Sequence, residues 1–204
     1  MSLRFAILGF LSVRPFSGYD LKRAFDQSVR HFWTADQAAI YRTLGELESK
    51  GLVEHERIAQ DLRPDRNLFR PTEAGLAALD DWLTTPSPAA PRREPFLVRL
   101  FFSGRIDPDA LLALVRAELD SVHDELRAFG DYVASLEAQV PDATDAWKAA
   151  MIGPLLTLTN GVSLGVAYRD WLTRIEGQLE GGSLTAELLL ADLRAQLPDT
   201  DSSG

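Results

Sequence analysis

The sequence predicts a mainly α-helical protein in two parts, a first part that includes a two-stranded β-hairpin and a second part that is all α. Apolar residues recur at spacings of three and four through most of the chain, which is typical of amphipathic helices. Residues 52–59 and 67–70 read as short strands on either side of a polar tip at 60–66. Residues 86–95 contain four prolines, which predicts an extended linker between the two parts.

Composition narrows the class of protein before any motif is considered. The 204 residues are 46% hydrophobic and 25% charged, which suits one large or two small globular domains. The absence of cysteine excludes disulfides and thiolate metal sites, and it fits a reducing cytoplasm, the location we expect. No leader with a cleavage site and no membrane-length apolar run is found, so no membrane partner is expected.

Three helices open the first part. Residues 3–13 form an apolar helix that ends at Arg14 and Pro15. Ser17 caps a second helix over residues 18–32, whose buried side takes Tyr19 or Leu21. The remaining residues on that side are Phe25, Val29 and Phe32. A tight joint then leads to a third helix, which is the geometry of a helix-turn-helix.

The third helix, residues 34–50, organises the first part. Thr34 as N-cap and Gln37 three residues later predict a capping box. Ile40, Leu44 and Leu47 share its buried face, and Gly51 ends it. The opposite face carries groups that can hydrogen-bond to base edges or phosphates, namely Asp36, Gln37, Tyr41 and Arg42.

A hairpin and a fourth helix complete this part. Arg63, Pro64 and Arg66 lie on the polar tip, where arginines can meet a nucleic-acid backbone. Thr72 opens the fourth helix, whose predicted inward residues are Leu76, Leu79 and Leu83. Three helices, a hairpin and a helix follow the order of a winged helix-turn-helix domain, which we place at residues 1–85.

These elements predict a set of DNA-contact residues on two helices and the hairpin. Phosphate contacts are expected from Lys22, Arg23, Arg63 and Arg66. Contacts to base edges or nearby phosphates are expected from the third helix and its start, namely Thr34, Gln37, Tyr41 and Arg42. Residues 1–85 carry 11 Lys and Arg against 12 Asp and Glu, and residues 86–204 carry 10 against 18. DNA contact therefore has to come from a local patch, with the acidic second part turned away.

Residues 5–82 contain, in this order, the runs ILGFL, SGYDLKRAF, HFW, IYRTLGELESKGLV, RPDRNLF and TEAG. Over about this range, the sequence resembles the PadR-type transcriptional regulators. Tyr41, Leu44, Leu47, Glu48, Gly51 and Leu52 match that family's third helix, and Arg63, Pro64 and Arg66 match its wing. The family pattern is not followed at Arg42, Gly45 and Phe69. These departures affect which operator sequence is expected more than they affect the expected fold. The resemblance implies a dimeric winged-helix protein that binds double-stranded DNA, usually as a repressor and sometimes released by a small molecule.

The second part begins with residues 96–102, which read as a buried strand or a short helix, and the long-form PadR resemblance favours the helix. A long helix then starts at Asp107 or Pro108 and ends before Pro141. Its heptad seam consists of Leu112, Val115, Leu119, Val122, Leu126, Phe129, Val133 and Leu136. The seam predicts either a helical hairpin within one chain or a dimer contact, and the two are compatible. We expect residues 96–197 to form a dimerisation domain.

A second helical stretch covers residues 143–179, with an interruption expected at Gly153 and Pro154. Its predicted inward residues include Leu155, and a last helix capped by Ser183 runs to Leu197 before a frayed tail, 198–204. Small residues at 161–167 allow close helix packing, or they line a cavity for a small aromatic effector. The walls of that cavity would be Trp147, Tyr168 and Trp171.

Sequence motifs for catalysis are missing. The chain has no phosphate-binding Gly-rich loop, no Gly-x-Ser-x-Gly elbow, and no metal-ligand spacing among His31, His55 and His123. We therefore expect no catalytic residue, no metal and no cofactor. The alternative to a DNA-binding regulator is a protein–protein interaction module, in which a degenerate winged helix binds a partner through its acidic surface.

Overall fold

Helices and one β-hairpin follow each other in the predicted order, and the structure confirms the mainly α fold class. The structure is a computed structural model that describes residues 3–28, 33–58, 66–86 and 94–197. The chain divides into two compact units, residues 1–91 and 92–204, and the division lies within the linker predicted at 86–95. We call them the N-terminal unit and the C-terminal unit.

The N-terminal unit contains four helices and an antiparallel pair of strands among its described residues. In chain order these are α1 (Leu3–Val13), α2 (Gly18–Ser28), α3 (Gln37–Ser49), β1 (Val53–Ile58), β2 (Arg66–Pro71) and α4 (Glu73–Thr84). Leu21, rather than Tyr19, joins Phe25 on the buried side of α2. Val29 and Phe32, the other predicted inward residues of this helix, lie outside the described residues. Ile40, Leu44 and Leu47 are buried on α3 as predicted, so the helical spacing identified the inner face correctly.

The start of α3 differs from the prediction. Asp36, not Thr34, is the N-cap, and its carboxylate accepts a hydrogen bond of 2.7 Å from the Ala39 amide. Gln37 is then the first helical residue, so the predicted capping box of Thr34 and Gln37 is wrong. A carboxylate and a threonine hydroxyl can both accept from a free amide at the N-cap. Only the carboxylate also carries a negative charge that interacts favourably with the positive end of the helix dipole.

The end of α3 matches the prediction and directs the chain into the hairpin. Gly51 has a φ of 66°, a left-handed conformation that favours glycine. The Gly51 amide donates to the Glu48 carbonyl and the Leu52 amide to the Leu47 carbonyl, both at 2.9 Å. This pair of bonds is a Schellman motif.

Strands β1 and β2 pair from Val53 opposite Pro71 to Ile58 opposite Arg66. The predicted tip, including Arg63 and Pro64, lies outside the described residues. Phe16 adds a third segment to this sheet, because its amide and carbonyl both bond to Phe69, at 3.2 and 2.9 Å. The chain just before α2 is therefore tied to β2.

Helix α4 presents a different inner face from the predicted one. Thr72 caps it as expected, accepting from the Gly75 amide. Leu79 is buried, but Leu76 and Leu83 are exposed, and the prediction for those two residues is wrong. The buried residues of α4 are Gly75 and Leu79. Trp82 is itself exposed, but its ring stacks on Phe5 of α1 with centroids 4.8 Å apart.

The regular elements among the described residues of the C-terminal unit are all helices, joined by short turns and loops. Its helices are α5 (Pro95–Phe101), α6 (Pro108–Glu137), α7 (Asp145–Ala150), α8 (Ile152–Glu180) and α9 (Ala186–Gln196), with a short 3-10 turn at Ser103–Arg105. Residues 95–101 are thus a helix, as the resemblance favoured. Asp107 caps α6 through the Ala110 amide at 2.8 Å.

Three details of this unit correct the sequence analysis. The interruption of the second long stretch comes at Met151, just before Gly153 and Pro154, which lie in the first turn of α8. Leu155 is exposed rather than inward. Thr185, not Ser183, caps α9, because Gly182 has a φ of 61° and Ser183 still closes the end of α8 through the Gln178 carbonyl.

Helices α6 and α8 pack against each other as a hairpin within one chain. Four seam residues of α6 are buried, namely Val115, Leu119, Val122 and Phe129, and the other four are half-buried. Leu172 and Ile175 of α8 join the same cluster. Arg116 also bonds to Glu176 and Glu180 of α8. The internal hairpin is therefore present, and a dimer role of the seam stays a prediction. No helix in the described part of the chain is long and apolar enough to cross a membrane.

Candidate nucleic-acid interface

The exposed side of α3 brings together three of the predicted DNA-contact residues. Gln37, Tyr41 and Arg42 lie within one and a half turns and are all exposed, and Thr34 is exposed just before the helix. Arg42 has no carboxylate partner among the described residues. Its guanidinium is therefore available to an external anion or to the acceptors of a base edge.

Tyr41 is held more firmly than its position on an exposed face implies. Its ring lies directly against Gly18, the first residue of α2, while 47% of the residue stays exposed. The ring therefore bridges the two helices of the helix-turn-helix, and its exposed part lies beside Arg42.

Helix α2 carries two neighbouring cations in different electrostatic states. Arg23 is exposed and has no carboxylate partner among the residues that the structure describes. Lys22 is half-buried and pairs with Asp26, one turn along the same helix. A phosphate therefore finds Arg23 free but has to compete with Asp26 for Lys22.

Arg66 at the base of the wing belongs to a polar network with the start of α2. It donates to the Asp20 carboxylate, which also accepts a bond of 2.6 Å from the Ser17 hydroxyl. Ser17 in turn accepts from the Asp20 amide at 3.2 Å and so caps α2. Partial burial acts to raise the pKa of Asp20, but the Ser17 bond and the Arg66 guanidinium outweigh it and hold that pKa below its usual value.

This network changes the interpretation of the wing arginines. The charge of Arg66 is matched within the protein, so Arg66 braces the wing against α2 rather than standing free for phosphate. Arg63 lies outside the described residues, and its phosphate contact stays a prediction. Sequence reasoning missed Asp20 and Asp26 as partners. The spacing of Lys22 and Asp26 at i and i+4 signals their pair, whereas no local pattern joins Asp20 to Arg66 across 46 residues.

Two family models and two curated relatives each match a large part of the chain, and together they span both units. A model of the transcriptional regulator PadR-like family matches residues 7–81, and a model of the virulence activator alpha C-terminal region matches residues 92–180. A probable transcriptional regulator of Mycobacterium tuberculosis is 33% identical, over 88% of this chain and 98% of that protein. The chain belongs to the PadR-like family of transcriptional regulators.

Solved structures agree with this membership at the level of the fold. Bacillus subtilis PadR in complex with operator DNA aligns with a TM-score of 0.75 at 23% identity, covering 88% of this chain and 99% of that one. The Vibrio cholerae virulence activator AphA aligns with a TM-score of 0.67 at 22% identity, over 88% and 99%. This PadR-like protein is a DNA-binding transcriptional regulator with a winged helix and a helical C-terminal region.

The three aromatic residues predicted to hold an effector do not form one group in this PadR-like protein. Tyr168 and Trp171 stack at 5.5 Å, and Phe96 meets both rings edge-on at 6.5 and 6.4 Å. Trp147 lies on α7, and the 16 residue steps from Ile152 to Tyr168 alone span about 24 Å of helix. Trp147 makes no ring contact with that pair. The pair is therefore a packed part of the hairpin core.

The Tyr168 hydroxyl has a partner inside the same unit. It donates to Glu118 of α6 at 3.2 Å. Burial raises the pKa of Tyr168, and the charges of Glu118 and Glu94 raise it further. Tyr168 is thus a neutral, hydrogen-bonded side chain that helps hold α8 against α6.

Open space in the C-terminal unit lies elsewhere, along the groove between α6 and α8. Two adjoining grooves of about 520 and 380 Å³ share Leu126 and Arg169. The smaller is lined by Leu126, Phe129, Gly130, Val133, Ala134, Glu137, Val162, Val166 and Arg169. Among the described residues, no three His, Asp or Glu side chains are arranged to hold a metal ion.

Proposed function

We propose that this PadR-like protein is a homodimeric repressor that binds a palindromic operator with α3 of each chain in the major groove. The observation that carries the proposal is the pair of unneutralised arginines, Arg23 on α2 and Arg42 on α3, on the two helices of the helix-turn-helix. An acidic protein needs such a local cationic patch to approach phosphate. The Bacillus subtilis negative transcriptional regulator PadR, 24% identical over 87% of this chain, supports repression.

The contacts divide into reading and positioning. Arg42 reads a base, because a free guanidinium on the exposed side of α3 can bond guanine O6 and N7 together. Gln37 and Tyr41 lie on the same side and add contacts to bases or nearby phosphates, with Thr34 just before the helix. Arg23 and the wing-tip Arg63 position the duplex by neutralising phosphate. Arg66 keeps the wing in place through Asp20.

Dimerisation is assigned to the C-terminal unit, through faces that the internal hairpin leaves exposed. On α9, Leu190 and Leu193 lie three residues apart and are both exposed, and so is Leu197 just after the end of the helix. On α5, Phe101 is 81% exposed, and Val98 and Phe102 are exposed beside it. Contiguous apolar faces of this kind mark interaction surfaces. The heptad seam supports the dimer indirectly, since it builds the hairpin that carries these faces.

An effector site is proposed in the groove between α6 and α8. Bacillus subtilis PadR has been solved in complex with p-coumaric acid, a small aromatic acid. The smaller groove is apolar along most of its length and includes the guanidinium of Arg169, which also bonds to Asp170 at 2.6 Å. An aromatic acid matches this chemistry if its carboxylate takes the place of Asp170 at Arg169. Tyr168 and Trp171 already fill their space against Phe96, which disfavours the aromatic cavity expected from the sequence.

Footprinting on the gene's own upstream region tests the proposal. We expect two protected half-sites whose centres lie about one helical turn, or a multiple of it, apart. Affinity should fall steeply as salt concentration rises, and the protected fragment should be preferred to random duplex at every salt concentration. Weak binding without sequence preference would instead favour a protein–protein interaction module.

A calorimetric titration with p-coumaric acid tests the effector site separately. We expect saturable heat with the wild type and a loss of binding in Arg169→Ala. Equal binding by both proteins would place the ligand elsewhere, and no heat in either would remove this class of effector.

A further inference from the structure

One contact joins the start of α2 to the exposed face of α3 more closely than ordinary packing does. A Cβ atom built on Gly18 would lie 2.5 Å from Cε1 and 2.6 Å from Cζ of Tyr41. Nonbonded carbon atoms are comfortable at about 3.5–4.0 Å. The Tyr41 ring therefore rests on the backbone of Gly18, in space that any side chain would occupy.

Backbone conformation does not explain the glycine. Positive φ angles occur in the described chain only at Gly51 and Gly182, so Gly18 has a conformation that alanine also adopts. Gly18 is moreover the first residue of a helix, where alanine is the better helix former. The requirement for glycine at this position comes from the ring of Tyr41.

The backbone at Gly18 on which the Tyr41 ring rests, which we call the seat, is fixed on both sides. Phe16, two residues before Gly18, is bonded to Phe69 of β2 through both its amide and its carbonyl. Asp20, two residues after it, bonds to Ser17 and to Arg66. The ring of Tyr41 thus rests on a segment that is anchored to the sheet and to the base of the wing.

We propose that Gly18 is a positioning residue for DNA recognition, because its missing side chain seats the Tyr41 ring and fixes the hydroxyl for a contact with the operator. The proposal rests on the assignment of α3 to DNA made above. A side chain held in its bound geometry loses less conformational freedom when the complex forms, so fixing Tyr41 strengthens binding without adding a contact. Gly18 acts through Tyr41 and does not touch DNA.

A double-mutant cycle tests this, using the fragment that the wild type protects in a footprint. Gly18→Ala should weaken operator binding about five- to tenfold, the scale of one lost hydrogen bond. In a Tyr41→Ala background, adding Gly18→Ala should weaken binding no further, since the methyl group then meets no ring. There it should also raise the thermal midpoint or leave it unchanged. Tyr41→Phe, which keeps the ring and removes the hydroxyl, should bind about as weakly as Gly18→Ala.

Gly9→Ala is the matched control. Gly9 also lies in a helix, α1, and a Cβ there would meet nothing within 4 Å. This variant should bind the operator like the wild type, which shows that adding a methyl group to a helical glycine is harmless where space exists.

The seat can also be observed without DNA. Because the ring covers Gly18, the Gly18 Hα resonances of the wild type should be shifted upfield by the ring current. The shift should persist in Tyr41→Phe and disappear in Tyr41→Ala. Absence of the shift in the wild type would overturn the seat even if no operator were found.

Three binding results would overturn the proposal. One is full operator affinity in Gly18→Ala, and another is full affinity in Tyr41→Ala. The third is an equal loss from Gly18→Ala with and without Tyr41, which would mean that Gly18 acts independently of the ring. Failure of the proposed function is a different result, in which the wild type shows no sequence-selective protection while the Gly18 resonances still report the seat.

Discussion

The N-terminal and C-terminal units bury their apolar residues to different extents. In the N-terminal unit, four helices and both strands close around one core of fourteen buried residues among those described. In the C-terminal unit, which is the longer of the two, the main cluster of described residues holds six. Neighbouring apolar residues of α5 and α9 remain exposed there, namely Leu97, Val98, Phe101, Leu190 and Leu193. The N-terminal unit also exposes apolar residues, among them Val13, Leu76 and Leu83, but it does so around a core more than twice as large.

The difference shows which unit can be complete by itself. Among its described residues, the N-terminal unit caps the starts of α2, α3 and α4, pairs its two strands and closes its core within one chain. A DNA-reading module needs such internal packing if it is to keep its shape. The C-terminal unit builds one tight contact, the hairpin of α6 and α8, and leaves other apolar surface uncovered. A second copy would cover that surface and would supply the second α3 that a palindromic operator needs.

The largest expected effect comes from charging the two kinds of apolar surface. Leu119→Glu places a carboxylate in the hairpin core, where burial of an unpaired charge costs several kcal/mol, so the C-terminal unit should unfold or the protein should become insoluble. Phe101→Glu changes an exposed residue and should give a folded monomer. Circular dichroism and light scattering measure both outcomes.

Two outcomes of the same experiments would contradict this difference between the units. If Leu119→Glu stays folded and becomes monomeric, the heptad seam is a contact between two chains rather than the core of a hairpin within one chain. If Phe101→Glu remains a dimer, the α5 face lies outside the interface.

The next effect concerns the reading residue. Arg42→Ala should cost about 1–3 kcal/mol in operator binding and relax the preference at one base pair in each half-site. Lys50→Ala, just after the end of α3, removes the same charge and should leave base preference unchanged. Competition assays with operators mutated at single positions separate the two variants. An equal loss on every sequence would make Arg42 a phosphate contact.

A smaller effect separates the two wing arginines. Arg63→Ala should reduce the slope of log affinity against log salt by about one, since one phosphate contact is lost. Arg66→Ala should leave the slope nearly unchanged, because Asp20 already neutralises Arg66, although the wing loses its brace. Filter binding over a range of salt concentrations gives both slopes. A decrease of about one in Arg66→Ala would show that Arg66 leaves Asp20 for the DNA.

The smallest effect is a pH dependence of stability. The pKa of Asp20 in the folded protein is lowered from 3.8. Its contribution to folding stability is therefore complete above the unfolded pKa and is lost as pH falls through the folded pKa. The thermal midpoint of the wild type should exceed that of Asp20→Asn near pH 6, and the difference should shrink as pH drops below 3.8. A difference that stays constant with pH would assign the effect to the Ser17 cap alone.

Periodicity was the most reliable guide in both units. Ile40, Leu44 and Leu47 face the core because a 3.6-residue period depends only on local geometry. Helix starts were less secure, since neighbouring polar residues compete to cap, and Asp36 and Thr185 prevailed over Thr34 and Ser183. On α4, Leu76 and Leu83 share a helical spacing with Leu79, but Trp82 and Gly75 determine which side faces α1.

Contacts between residues of separate elements could not be predicted from the sequence. A heptad seam shows that a helix has a partner, but the same pattern serves a partner from the same chain or from another. The pairing of Asp20 with Arg66 and the seating of Tyr41 on Gly18 join separate elements, so no local spacing predicts them. Trp147 was grouped with Tyr168 and Trp171 by composition alone, and the distance along α8 separates them.

Native mass spectrometry of the protein with its operator fragment shows whether a second copy completes the C-terminal unit. Such a copy would bring two recognition helices to one palindrome. The spectrum should show a dimer in the absence of DNA and two chains on each duplex in its presence, with Phe101→Glu reduced to single chains in the absence of DNA. A wild-type monomer that binds the duplex as one chain would contradict the claim.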